Sequence, residues 1–339
     1  MGLLKGLLIG IVLLLAAAVG VGLMLPDTAH VERSITIESP PATVYVALNG
    51  FGQFDRWSPW AQLDPEADYR VEGAPMGVGA RMSWHSENPA VGGGSQRIVE
   101  SVPNRRIVIE LTFDGFDSEN RSAFELAPVE HGTRLTWSYD TRFDGNLLNR
   151  YFGLLLDGMI GPDYEKGLVE LKRLIEQELP ATDFSGLAVD IREVSSRPMI
   201  YRSAAAEADQ IPATLAQCFG ELSRFVEQHA LQIAGEPFAI TRQYDDESGF
   251  WRFDAAYALD QRPGEEQDGI KIGTAYEGWV LVAEHDGEWA TLPRVYERLA
   301  AYRDVAGLDD NGDSWEEYVA PPGMLPIDPV VTRVYWPVR

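Results

Sequence analysis

The stretch from Gly6 to Pro26 carries no charged residue and is dominated by Leu, Ile, Val, Ala and Gly. That is about 20 residues, the length a helix needs to cross the hydrocarbon core of a bilayer. Lys5 and the amino terminus precede it, Asp27 and Glu32 follow, and Arg33 is the first positive charge beyond. The positive-inside bias then favours a cytoplasmic N-terminus with the rest of the chain outside. A cleaved signal peptide competes, because Ala16-Ala17-Ala18 supplies small residues. The apolar run continues past them to Leu25, which favours an uncleaved transmembrane anchor over residues 1–26.

The 339 residues leave room for about two further domains. A net charge of −24 excludes a nucleic-acid surface, which needs clustered Lys and Arg. It also disfavours adsorption of the soluble part to anionic lipid and gives cationic ligands a favourable field. Cys218 is the one cysteine, so no internal disulfide and no cysteine-based metal cluster can form. Neither a histidine-rich metal pattern nor a Ser-His-Asp order is present, and no metal or cofactor is expected. Leu179 to Gly186, with a proline, small polar residues and a glycine, reads as a linker between residues 30–180 and 188–339.

In the first of these regions Val31 to Glu38 alternates as a strand, and Pro40-Pro41 opens a short helix through Ala47. Strands are predicted over Ala80 to Ser86, Ser95 to Val102, Arg106 to Phe113, Arg121 to Ala127 and Thr133 to Thr141. Gly92-Gly93-Gly94 and Gly132 read as turns. A helical run from Leu147 to Leu179 closes the region, broken or kinked at Gly161-Pro162.

Phe54-x-x-Trp57-Ser58-Pro59-Trp60, Gly77-Val78-Gly79-Ala80 with Trp84, Arg97-Ile98-Val99-Glu100-Ser101 with Pro103-Asn104, and Gly132-Thr133 with Trp137 occur in that order. On these residues the region resembles the START-like SRPBCC (polyketide cyclase/dehydrase) superfamily. The resemblance implies an α+β helix-grip domain, a curved sheet around a long helix with an apolar cavity between them. Trp57, Trp60, Trp84 and Trp137, with Phe113, Phe124 and Tyr139, are candidate walls for an apolar ligand, or they simply fill the core. His85 and Arg97 are candidates for polar contacts inside.

The C-terminal region repeats one plan, strand–helix–strand–strand. The first copy runs through a strand Ile191 to Ser203, a helix Pro212 to Ala230 and strands Phe238 to Tyr244 and Phe250 to Leu259. The second runs through a strand Gly278 to His285, a helix Leu292 to Val305 and strands Trp315 to Val319 and Val330 to Val338. Cys218 falls on the apolar face of its helix and reads as a small core residue. Asp309-Asp310-Asn311-Gly312-Asp313 fails the calcium-loop pattern at its first and twelfth positions and reads as a solvated turn.

Val282-Ala283-Glu284-His285-Asp286-Gly287, Tyr296-x-x-Leu299, Trp315-Glu316-x-Tyr318 and Thr332-x-x-Tyr335-x-Pro337-Val338 make this region resemble the gyrase-inhibitor-like (GyrI-like) effector-binding domain. Glu288-Trp289 stands where that family often has Pro-Tyr. The resemblance implies a duplicated βαββ domain with a small-molecule groove between its halves. By position it makes Glu316 the ligand-facing glutamate, with Tyr318 beside it and Trp289, Tyr257 and Tyr244 as walls.

Read from the residues alone, Asp313 to Tyr318 alternates, so Glu316 and Tyr318 share one face and Trp315 and Glu317 the other. Either this is an edge strand with both glutamates solvated, or it is an acidic, aromatic-walled slot for a cationic or electron-poor molecule. The function expected is a small-molecule binding or sensing protein in the bacterial inner membrane. Its soluble domains would lie in the periplasm and take small hydrophobic or cationic aromatic ligands. The alternative is a hydrolase of electrophilic small molecules, with Glu316 as general base and Tyr318 as hydrogen-bond partner. A structural role with filled pockets is the third.

Overall fold

The computed structural model describes residues 2–115, 119–287, 289–319 and 331–339. The chain is mixed α and β, with two antiparallel sheets and an apolar N-terminal helix, and it forms two compact units whose main boundary lies between Ser185 and Gly186, the short stretch Val305–Gly307 grouping with the first.

The first unit begins with α1 (Gly2–Met24), of which Lys5–Met24 is long and apolar enough to cross a membrane. There follow β1 (Thr28–Ile37), α2 (Pro41–Leu48) and two short turns of helix, α3 (Phe54–Trp57) and α4 (Pro59–Leu63). The strands β2 (Asp68–Glu72), β3 (Arg81–His85), β4 (Gly93–Val102), β5 (Arg106–Phe113), β6 (Glu119–Val129) and β7 (Gly132–Arg142) come next. They form a seven-stranded sheet in the order β1-β7-β6-β5-β4-β3-β2. The unit closes with α5 (Leu147–Gly153) and α6 (Leu156–Arg173), continued by a short π turn over Leu174–Glu178.

The helical run does not break at Gly161-Pro162. It breaks at Leu154-Leu155, and α6 runs through the proline. Pro162 removes one backbone hydrogen bond, but Leu156, Tyr164, Leu168 and Leu171 on either side of it are buried and hold the helix to the sheet. At Gly161 the guanidinium of Arg33, from β1, crosses the helix where a Cβ would stand. It binds Glu165 at 2.7 Å and Asp157 at 2.9 Å.

Gly93 and Gly94 are strand residues rather than a turn. Gly94 pairs with Trp84, and a Cβ there would lie 2.3 Å from the Thr112 carbonyl oxygen and 2.7 Å from the Trp84 ring. The tryptophan lies over the bare glycine, which is why a residue of low strand propensity is used mid-strand. His85 and Arg97 both point outward and are exposed, His85 toward Glu87 and Arg97 bonded to Glu110, so neither enters the core. β2, Asp-Tyr-Arg-Val-Glu, alternates three charged residues with Tyr69 and Val71, but it is only five residues long and was not expected.

The second unit contains β8 (Val189–Val194), β9 (Pro198–Ala206), α7 (Ile211–Gln228), β10 (Phe238–Tyr244), β11 (Trp251–Ala258) and β12 (Lys271–Thr274). It continues with β13 (Gly278–His285), α8 (Pro293–Ala306), β14 (Trp315–Val319) and β15 (Val331–Pro337). Val330 and Glu288 lie outside the described residues. The eight strands run β12-β9-β11-β10-β14-β15-β13-β8.

The single strand expected over Ile191 to Ser203 is two strands near opposite ends of this sheet, β8 on β13 and β9 between β11 and β12. Pro198 has no N–H to donate and, with Ser195-Ser196-Arg197 before it, ends one strand and starts the other. β14 is a central strand, between β10 and β15, so the solvated edge-strand reading does not hold.

Gly94→Val should destabilise the first unit by about 1–3 kcal/mol, because neither the Thr112 backbone nor the indole can yield without strain. The urea midpoint of that unit's transition measures this; an unchanged midpoint would contradict the packing described.

Candidate functional site

The central position of β14 decides the environment of its side chains. Glu316 stands opposite Ala239 of β10 on one side and Val334 of β15 on the other. Its side chain shares a face with Tyr318, and both are buried, Glu316 being 7% exposed. Phe219 of α7 meets the Tyr318 ring edge-on at 6.0 Å, and Trp289 lies nearly parallel to it at 5.7 Å.

Two hydroxyls converge on the carboxylate. Tyr318 donates to Oε2 at 2.9 Å and Tyr296, from α8, to Oε1 at 3.1 Å. Among the described residues no basic side chain lies within ion-pair distance of Glu316. Burial pushes its pKa from 4.5 to about 7, against the lowering effect of the two tyrosine hydrogen bonds. That shift opposes ionisation by about 3 kcal/mol. The same burial, with the glutamate's charge beside them, holds the Tyr318 and Tyr296 hydroxyls well above their ordinary range. Trp289 Nε1 is buried and has no hydrogen-bond acceptor among the described residues.

Glu317 occupies the opposite face and a different electrostatic setting. Arg333 donates to it at 3.0 Å and the Tyr335 hydroxyl at 3.2 Å. That face carries an open cavity of about 350 Å³ whose lining includes Phe238, Arg242, Trp315, Glu317 and Tyr335. Trp315 and Tyr335, directly paired across the strands, stack at 4.8 Å.

The structure thus brings Glu316, Tyr318 and Trp289 together. Tyr257 reaches the group through Phe219, with its hydroxyl 3.2 Å from Ser223. Tyr244 is half exposed. Its hydroxyl is pushed up by burial, then by the charges of Asp246, Glu316 and Asp245. Tyr296 enters the sequence reading through the Tyr296-x-x-Leu299 motif of the second helix, without being named as a contact of Glu316. Its spacing on α8 fits core and site equally, so its place in that motif was the one signal and it did not identify the bond to Glu316.

In the first unit, Trp57, Trp60 and Trp137 gather with Phe124 and Tyr164. Trp137 stacks on Tyr164 of α6 at 3.8 Å and meets Trp57 edge-on at 5.3 Å and Trp60 at 6.0 Å. Its indole N–H donates to Ser122 at 2.8 Å. Trp84 packs instead on Phe113. Cys218 is buried, and burial raises its thiol pKa. Asp309, Asp310 and Asp313 are exposed and face Arg339, Arg303 and Arg242, and among the described residues no cluster of metal-ligating side chains occurs.

Residues 28–176 match the family described as polyketide cyclase / dehydrase and lipid transport, a match compatible with small-molecule binding. Solved structures similar to parts of the chain include protein CV1439 from Chromobacterium violaceum, at 22% identity over 45% of this chain and 100% of that one, with a TM-score of 0.32. The EcmrR C-terminal domain is 12% identical over 45% of this chain and 98% of that one, TM-score 0.37. EcmrR in its complex with DNA is 10% identical over 62% and 88%, TM-score 0.42. Comparison with curated proteins gives no match.

The protonation of Glu316 sets a pH dependence of stability. The folded state keeps a proton that the unfolded state releases, so stability falls as pH rises from about 4.5 to about 7 and is level above that. Glu316→Gln removes the titration. Its unfolding free energy for the second unit, from urea titration, should exceed the parent's at about pH 8, by up to about 3 kcal/mol, and converge with it below about pH 4.5. A variant less stable than the parent at both pH values would contradict this.

Proposed function

We propose that the second unit binds small cationic aromatic molecules at Glu316, with Tyr318, Tyr296 and Trp289 as the surrounding contacts and Tyr257 and Tyr244 farther out. The observation that carries this reading is a buried carboxylate supplied with two hydroxyl donors but, among the described residues, no cation. A ligand bearing positive charge supplies the missing counter-charge, and its aromatic body replaces water against Trp289 and Tyr318. The Trp289 N–H, unpaired among the described residues, offers one further donor to a ligand acceptor. Because Glu316 and Tyr318 are closed off, binding requires the surrounding side chains to move, and affinity reflects the population of the opened form.

The strand order supports reading this unit, residues 188–339, as a duplicated βαββ domain. β9-β11-β10 on one side of the centre is matched by β13-β15-β14 on the other. The packing of α6 on the seven-stranded sheet supports a helix-grip reading of residues 30–180, with Trp57, Trp60, Trp84 and Trp137 nearest to any apolar ligand. The length and hydropathy of α1 support a single-pass anchor, with Lys5 inside and Asp27 and Glu32 outside the inner membrane. The whole is then a membrane-anchored binding or sensing protein with periplasmic domains.

A second reading, hydrolysis of electrophilic small molecules, draws on one observation. A carboxyl with a pKa of about 7 suits a general base at neutral pH, and the Tyr318 hydroxyl is in hydrogen-bond reach. Turnover of reactive cyclic electrophiles that is abolished in Glu316→Ala would favour it over simple binding.

For binding, the sign with pH follows from the ionised form being the acceptor of the cation. Affinity for a cationic aromatic dye should fall by up to about tenfold per pH unit below 7 and level off above it. Glu316→Gln should bind more weakly and without that pH dependence. Equal affinity of parent and variant across the range would remove Glu316 from the site.

A further inference from the structure

The face of α5 and the start of α6 is apolar and open. Leu148, Phe152, Leu154, Leu155 and Met159 are 46–80% exposed. Exposed apolar residues scattered singly need no explanation, but five within twelve positions form a patch that does. What lies beside it identifies the occupant.

α5 packs against the last turns of α1. Tyr151 and Leu147 sit against Gly22, where a Cβ would be 3.1 Å from the Tyr151 ring. The Tyr151 hydroxyl donates to the Ala18 carbonyl. Arg150 donates to the carbonyls of Gly22, Leu23 and Leu25 at 3.2–3.4 Å and to Asp27 at 3.1 Å, capping the C-terminal end of the helix.

Length then fixes depth. The 20 residues Lys5–Met24 rise about 30 Å, no more than the hydrocarbon core they would cross. Ala18 lies about 9 Å of helix rise before Met24. A side chain bonded to Ala18 is therefore at or beneath the boundary of the acyl layer, and the helix carrying it cannot stand in bulk water. Tyr151 and Arg150 are residue types that sit at that boundary, ring or stem in the apolar layer and polar tip toward water.

We propose that α5 and the first turn of α6 form a second membrane contact, lying in the interface of the bilayer that α1 crosses, with Leu148, Phe152, Leu154, Leu155 and Met159 in the acyl region. The contact is made by apolar burial. The chain carries 28 Lys and Arg against 52 Asp and Glu, so attraction to anionic lipid contributes nothing to it. The inference rests on reading α1 as a membrane span.

The test uses the full chain in phosphatidylcholine vesicles, in a C218A background, with an environment-sensitive fluorophore at L148C, F152C or M159C and a control at the exposed V71C of β2. Alkaline carbonate extraction reports on α1 separately. With the chain retained in the membrane, the three labels should be blue-shifted relative to V71C and quenched by nitroxide lipids about 5–10 Å below the headgroups. The control should be quenched only from the aqueous phase. Retention of the chain with all three labels behaving like V71C would overturn the interfacial contact and leave the anchor standing. Release of the chain by carbonate would overturn both.

Discussion

Two adjacent glutamates on one strand are handled in opposite ways, and the second unit's chemistry follows from that difference. Glu317 has Arg333 and the Tyr335 hydroxyl. Glu316, one residue away and facing the helices, has two tyrosine hydroxyls and no cation among the described residues. Burying a carboxylate without its counter-charge opposes ionisation, here lifting the pKa to about 7. A core serving stability alone is better off with an apolar residue at that position. A carboxylate in that position is destabilising when ionised, and this is what the proposed binding of a cation would relieve.

In the first unit most of the polar groups described above are paired, although Ser58 Oγ and the Tyr69 hydroxyl are buried without a partner among the described residues. The Trp137 indole donates to Ser122, the Tyr139 hydroxyl to Asn120, and the Arg33 guanidinium is matched by two carboxylates of α6. Its aromatic rings meet edge to face or stacked, at centroid distances of 3.8–6.2 Å. Burial there is mainly apolar, and Trp57 and Trp60 each pack edge-on against Trp137. Arg150 extends the same economy to α1, whose final carbonyls would otherwise be left open.

Where alternation was clean, strands were legible to the residue: Arg106–Phe113, Phe238–Tyr244, Gly278–His285 and Trp315–Val319 all form as the period-2 pattern predicts. Two short strands were not. Asp68–Glu72 alternates, but with only two apolar residues, Tyr69 and Val71, among three charged ones, and Lys271–Thr274 has four residues including a glycine, so each run is too short to stand out. The strand pair split at Pro198 looked continuous because apolar residues occur on both sides of the break. For the site, alternation placed Glu316 and Tyr318 on one face, but period cannot say whether a strand is central or at an edge. That distinction depends on pairing with β10, more than 70 residues earlier, and it is what turns a surface glutamate into a buried one. Tyr296 was hidden for a related reason, since helical spacing gives its direction but not what its hydroxyl meets.

The central claim is that Glu316 is held neutral by burial and becomes ionised when a cation enters its surroundings. Calorimetric titration of a cationic aromatic dye into the protein, in two buffers of different ionisation enthalpy at about pH 6, counts the protons exchanged on binding. The account predicts release of about one proton by the parent and none by Glu316→Gln. Binding with no proton release by the parent would show that the carboxyl does not change state and would contradict it.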